Sequence, residues 1–323
     1  MMVGQAHGAL TQAVAEATDE SGDRYGHALA IGDFDGDGYR DLAIGAPGED
    51  DQATDDGYVA IHYGSPDGLG TRRWEWIGQT AAGAASETDD RFGEALAAGD
   101  FDGDGVDDLG VGVPGEDGVS SDEGAVVVFY GSPDGLLPAD ADVLDQGVLG
   151  LERGTDDRFG AALAAGDVDG DGFDELAVGA PTEDDLAFED GNVVVLFGSS
   201  QGLSATGWER LRLNQAGVTE ADSDRFGESL AAGDFDGDGR SDLAVGIPLR
   251  DDEATDSGNV VVFFGSTVGL LPANTERLSQ PDAGRPSENG DRFGGALATA
   301  DFDGDGRDDL AVGVPDEFQN APQ

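Results

Sequence analysis

Residues 33–41 read DFDGDGYRD: four carboxylates and two glycines in nine positions, followed by the apolar run LAIGAP. Carboxylates at alternate positions of a tight loop can converge on one point, and what they offer there is a cage of hard oxygens for a cation. Taken as loop positions 1, 3, 5 and 9, Asp33, Asp35, Asp37 and Asp41 supply side-chain oxygens. The backbone carbonyl of Tyr39, at position 7, adds another. Ca²⁺ takes roughly six to eight such ligands at about 2.3–2.6 Å and tolerates irregular geometry, whereas Mg²⁺ prefers a strict octahedron with several waters. Gly38 at position 6 permits the sharp turn that folds later ligands back, and Gly36 relieves crowding at position 4. Phe34, between two ligand positions, is expected to point away from the ion and anchor the loop in the core.

The same pattern stands at four further places, each 67 residues after the last. It gives Asp100, Asp102, Asp104 and Asp108; Asp167, Asp169, Asp171 and Glu175; Asp234, Asp236, Asp238 and Asp242; and Asp301, Asp303, Asp305 and Asp309. Position 7 is Val106, Phe173, Arg240 or Arg307, a variation that fits a backbone ligand. One acidic loop is most simply a solvated turn, but five in register point to cation sites, about five Ca²⁺ in all. An EF-hand would need Glu at position 12 and flanking helices. Position 12 is Ile44, Val111, Val178, Val245 or Val312, inside an apolar run, so the EF-hand reading fails. Two carboxylates ~4 Å apart repel by about 4 kcal/mol at an effective dielectric near 20, so the loops disfavour the fold without a counter-ion.

The elements that position these loops repeat with them. DRYG at 23–26 returns as DRFG at 90–93, 157–160, 224–227 and 291–294. One unit reads as four short strands: FGEALAAGD (92–100) into the loop, DLGVGVP (108–114) out of it, GAVVVFYGS (124–132), and a weaker strand such as RWEWIGQ (73–79). Gly and Pro turns between strand-length runs argue against helices. Four strands at a fixed period predict an all-β fold, a β-propeller of four-stranded blades whose neighbours supply each other's core. The units run 23–89, 90–156, 157–223 and 224–290, with a partial fifth at 291–323. Residues 1–22 read as the end of a preceding repeat, since GALTQ at 8–12 aligns with a fourth strand. The expectation is four full 67-residue repeats flanked by partial ones.

Composition narrows the function. The formal net charge is −53, all sixteen basic residues are Arg, and there is no cysteine. Such a surface repels phosphate backbones and anionic lipid, so nucleic-acid partners are excluded. No apolar run approaches the ~18 residues of a membrane span, and the first residues lack the pattern of a signal peptide. Acids outside the loops also suggest salt-dependent stability.

With the loop, the FG of DRFG and the GAP at 45–47 and 179–181 in view, the chain resembles the FG-GAP repeats of integrin α-subunit propellers and related bacterial extracellular proteins. The resemblance covers about residues 10–315; the other repeats read GVP or GIP where the motif has GAP. It implies a propeller, Ca²⁺ in the loop between the first two strands of each blade, and an extracellular or cell-surface location. It also implies that a protein or glycan partner binds the opposite face. There the segments 48–57, 115–124, 182–191 and 249–258 are all acidic.

Other chemistry is weakly signalled. GSSQG at 198–202 matches a hydrolase elbow around Ser200, but the equivalent positions are Pro66, Pro133 and Thr267. His7, His27 and His62 do not recur between repeats. Trp74, Trp76 and Trp208 are expected in blade packing, and the arginines of each DRFG in ion pairs between blades. A non-catalytic, calcium-binding recognition module is therefore expected. The alternatives are an accessory propeller of a secreted hydrolase or lyase, and a structural spacer.

Overall fold

The computed structural model describes residues 22–50, 52–69, 73–184, 187–252, 254–270 and 274–316. The strand expected from residues 8–12, and His7, lie outside them. Blade 1 comprises β1 (Leu29–Gly32), β2 (Asp41–Ala46), β3 (Tyr58–His62) and β4 (Trp74–Ile77). Blade 2 is β5 (Leu96–Gly99), β6 (Asp108–Val113), β7 (Ala125–Tyr130) and β8 (Leu137–Asp145). Blade 3 is β9 (Ala162–Gly166), β10 (Glu175–Ala180), β11 (Asn192–Leu196) and β12 (Trp208–Leu211). Blade 4 is β13 (Ser229–Gly233), β14 (Asp242–Ile247), β15 (Asn259–Phe263) and β16 (Thr275–Leu278); β17 (Leu297–Ala300) and β18 (Asp309–Val312) form a two-stranded fifth sheet. Every sheet is an antiparallel meander in chain order, the topology of a β-propeller.

The first strand of each blade lies innermost, and β1, β5, β9, β13 and β17 pack side by side. Small residues let them crowd there: Ala30, Ala97, Ala164 and Ala231 share one repeat position and are all buried. The second and third strands are apolar on both faces because blades cover both. Val126, Val127 and Val128 of β7 are each 0% exposed. The FG phenylalanine joins neighbours: Phe92 packs with Val59 and Ile61 of the preceding blade, and its N–H donates to the Asp56 carbonyl (2.9 Å).

Three short 3₁₀ turns that the strand pattern did not suggest follow fourth strands, at Gln79–Ala82, Leu213–Ala216 and Gln280–Ala283. Each ends on a glycine in the left-handed region, and each is too short to leave a helical periodicity in the sequence. The tryptophans pack as expected: Trp76 stands edge-on to Tyr25 and Tyr58, and the Trp208 indole donates to the Leu149 carbonyl (3.0 Å). No helix among the described residues is long and apolar enough to cross a membrane.

Candidate metal centre

Each acidic loop joins the inner strand of a blade to its second strand, so all of them lie at one end of the blades. In the first, Asp33 Oδ1 accepts the N–H of Asp37 (3.1 Å) and its Oδ2 that of Gly38 (2.9 Å). Gly38 needs its φ of 87° for this turn. Asp41 is held at both oxygens, by the N–H of Phe34 (2.8 Å) and of Gly64 (2.6 Å). The repeated glycine after the third strand thus serves to fix position 9.

The result is convergence. In every loop, carboxylate oxygens of positions 1, 3 and 9 lie within 4.8 Å of one another: Asp33, Asp35 and Asp41; Asp100, Asp102 and Asp108; Asp167, Asp169 and Glu175; Asp234, Asp236 and Asp242; Asp301, Asp303 and Asp309. The position-5 carboxylates, Asp37, Asp104, Asp171, Asp238 and Asp305, stand outside these sets. Their Oδ1 atoms accept the N–H of position 7, at 2.9 Å from Tyr39 and 3.0 Å from Phe173.

Burial falls hardest on position 9. Asp41, Asp108 and Glu175 are almost wholly buried, and burial pushes their carboxyls up to about 6, about 7 and about 8 against the opposing pull of two backbone N–H donors. Nearby loop carboxylates add to the rise. Asp35, Asp102 and Asp169 at position 3 are also raised, first by burial and then by the position-5 charge. A buried carboxylate that finds only backbone donors calls for a proton or a cation. The all-oxygen donor sets suit a hard ion such as Ca²⁺, which positions 1, 3 and 9 could hold together. Arg73 enters the first loop, its Nη1 2.5 Å from Asp35, and Arg240 pairs with Asp238 in the fourth.

Successive loops are tied to each other. The N–H of Asp33 donates to the Asp107 carboxylate (2.8 Å), while the Asp107 N–H donates to the Asp33 carbonyl (3.1 Å). Asp100 with Asp174 and Asp234 with Asp308 repeat the arrangement. Ser132 adds a bond from its N–H to the Phe34 carbonyl (3.3 Å). The position-7 side chain, which the sequence left free to vary, lies on the preceding loop. A Cβ on Gly36 would come 3.0 Å from Val106, so the position-4 glycine makes room for the next blade.

The remaining candidates lie outside the acidic loops. Ser200 lies exposed in a turn closed by Ser199 Oγ on the Gly202 carbonyl (2.8 Å). His62 is buried against Tyr25 Oη (3.2 Å), and His27 sits beside Arg24 and Glu94. Asp157 and Glu183 are paired carboxylates outside the loops; both are buried, and burial with the neighbouring Asp157 pushes Glu183 up to about 8. Blade 4 has Asp224 and Arg250 at the equivalent positions, in an ion pair of 2.7 Å. Of the DRFG arginines, Arg24 pairs with Glu94 (3.0 Å) and Arg225 with Glu189 (3.2 Å) between blades, as expected. Arg158 forms no such pair among the described residues.

Phosphatidylinositol-glycan-specific phospholipase D of Mus musculus is 36% identical over 182 residues, 54% of this chain and 20% of that protein. Integrin alpha pat-2 of Caenorhabditis briggsae is 32% identical over 251 residues, 73% of this chain and 19% of that one. The chain therefore spans about a fifth of the length of these curated relatives. Among solved structures, a rhamnogalacturonan lyase of Bacillus licheniformis aligns with a TM-score of 0.40 and 15% identity, over 80% of this chain and 48% of that one. The FG-GAP repeat matches residues 25–62, 92–129, 159–196, 226–263 and 293–323, which is more than half of the sequence, and the chain belongs to the FG-GAP repeat family.

Proposed function

We propose that this chain is a calcium-stabilised, non-catalytic propeller module of an extracellular or cell-surface protein, presenting its loops to a protein or glycan partner. The observation that carries the reading is the convergence of three carboxylates within 4.8 Å in each of five loops. The carboxylates of positions 1, 3 and 9 would hold Ca²⁺, with the position-5 carboxylate and the position-7 carbonyl as the further oxygens within the same loop. The ion supplies the positive charge that lets the buried carboxylates stay ionised. With sites of ~10⁻⁴ M and about 1 mM free Ca²⁺, mass action adds roughly 1.4 kcal/mol per site, and about 7 kcal/mol for five additive sites. That is comparable to a typical net stability of ~5–15 kcal/mol.

The test is thermal and far-UV circular dichroism of chelator-treated protein with and without millimolar Ca²⁺. A large rise in melting temperature with calcium, absent with equimolar Mg²⁺, is expected. Equal stability in chelator and in calcium would contradict the proposal.

A second reading has one observation in its favour: a relative that matches over half of this chain is named as a phospholipase. In that reading the propeller accompanies a catalytic part of the same protein. Calcium fills the same role in both.

A further inference from the structure

A cavity of about 430 Å³ opens at the end of the blades opposite the acidic loops. Three arginines at one repeat position, Arg91, Arg158 and Arg225, line it from successive blades. The carboxylates of Asp122, Asp156, Asp184 and Glu189 share its wall, and Phe188 stands 58% exposed beside them. We propose that this cavity binds a neutral saccharide, with hydroxyl groups held between guanidinium and carboxylate and a C–H face laid on Phe188. The proposal rests on the reading of the chain as a recognition module and gives that module its ligand class.

Arg158 points to a ligand. Acids outnumber basic residues 69 to 16, so an arginine here rarely lacks an acceptor. Arg225 is held by Glu189 and Arg91 is drawn to the Asp122 carboxylate, yet the half-buried Arg158 makes no side-chain hydrogen bond or ion pair with the described residues. A guanidinium drawn partly out of water leaves five N–H donors seeking oxygen.

Charge selects which oxygen. Four carboxylates against three guanidiniums leave the cavity near balance, and the chain's −53 repels a polyanion. A vicinal diol matches both kinds of group, donating to a carboxylate and accepting from an arginine. The exposed ring of Phe188 offers the apolar surface that one face of a sugar ring requires. The volume is that of an ordinary small-molecule site.

The walls are also fixed before any ligand arrives. Arg158 N–H donates to the Asp122 carbonyl (3.0 Å), Arg225 N–H to the Glu189 carbonyl (3.1 Å) and Ser223 N–H to the Phe188 carbonyl (2.6 Å). Little ordering cost then opposes binding.

Titration calorimetry and saturation-transfer NMR on the calcium-loaded chain would use lactose, cellobiose and methyl β-galactoside. Galacturonate and an aspartate-rich peptide serve as charged comparisons. Arg158→Asn keeps a residue that tolerates the left-handed φ of 57°, and Phe188→Ala alters an exposed side chain, so both variants should fold. Binding of a neutral saccharide that weakens at least about tenfold in both variants, with unchanged circular dichroism and calcium titration, is the expected result. Binding of the charged probes only, binding that survives both substitutions, or no binding to folded, calcium-loaded protein would overturn it. Calcium uptake is read on the same sample, so a failed metal reading and a failed saccharide reading are told apart.

Discussion

Loops 100–108 and 301–309 are nearly the same peptide, DFDGDGVDD and DFDGDGRDD, yet they occupy different environments. In the first, Phe101 is 0% exposed and Asp108 1%; in the second, Phe302 is 64% exposed and Asp309 is only half-buried. The difference is the neighbour. Blade 3 lies over loop 100–108, placing Phe173 above Gly103 and the Asp174 carboxylate on the Asp100 N–H (2.9 Å), whereas no described blade follows loop 301–309. A nine-residue motif sets the ligand types, but the buried, high-energy carboxylate that makes cation binding rewarding is built by two blades together.

The comparison can first be tested through pH. In metal-free protein, burial raises Asp108 to about 7 and Glu175 to about 8, above the ordinary carboxylate range near 4. Raised acids bind protons more tightly when folded. Their stabilisation is therefore full below about pH 4 and is lost as pH climbs through 7 and 8, at up to about 1.4 kcal/mol per pH unit for each group. Chelated protein should unfold more easily at pH 8 than at pH 5, measured as urea midpoints. Calcium should reverse the slope, because it requires the ionised carboxylates. A midpoint that rises with pH in chelator would break the account of these sites.

Next in size come the phenylalanines. Phe101→Ala opens a cavity in a packed interface and should cost about 3–5 kcal/mol. Phe302→Ala, on an exposed side chain, should stay within about 0.5 kcal/mol. Similar losses in denaturant melts of the two variants would mean that the neighbouring blade is not what distinguishes the loops.

The ties between loops should matter less. Asp174→Ala removes the acceptor of the Asp100 N–H and should cost about 1–3 kcal/mol, with calcium affinity falling at both adjoining loops. Blade 4 already carries the reverse case, since Ser241 stands where blades 2 and 3 and the fifth sheet have Asp107, Asp174 and Asp308. Only its backbone reaches back, to the Asp167 carbonyl (2.8 Å). Ser241→Asp should restore the missing tie and stabilise by about 0.5–1.5 kcal/mol, the smallest effect here and one readable as a melting shift.

Much of this was legible in the sequence because repetition separates what a blade needs from what one position happens to hold. Strand positions, loop phase and the inward role of Phe34 all follow from alternation, Gly placement and the 67-residue period. What was not legible lies between units. Nothing local to DFDGDG shows that Val106 would rest on Gly36, or that Asp107 would accept the Asp33 N–H, because those partners stand some 70 residues apart. The position-5 aspartates illustrate a second limit. One oxygen of each accepts the position-7 N–H, a backbone tie that residue type and spacing do not show. Arg158 illustrates a third, since its lack of a side-chain partner among the described residues emerges only once the blades are assembled.

Calorimetric titration of Ca²⁺ into chelated protein would count the ions these loops take up. About five ions are expected, one for each converging carboxylate set, with the site at Asp301, Asp303 and Asp309 weaker than those covered by a following blade. No binding at millimolar calcium would contradict the metal reading, and five indistinguishable sites would contradict the claim that two blades build each one.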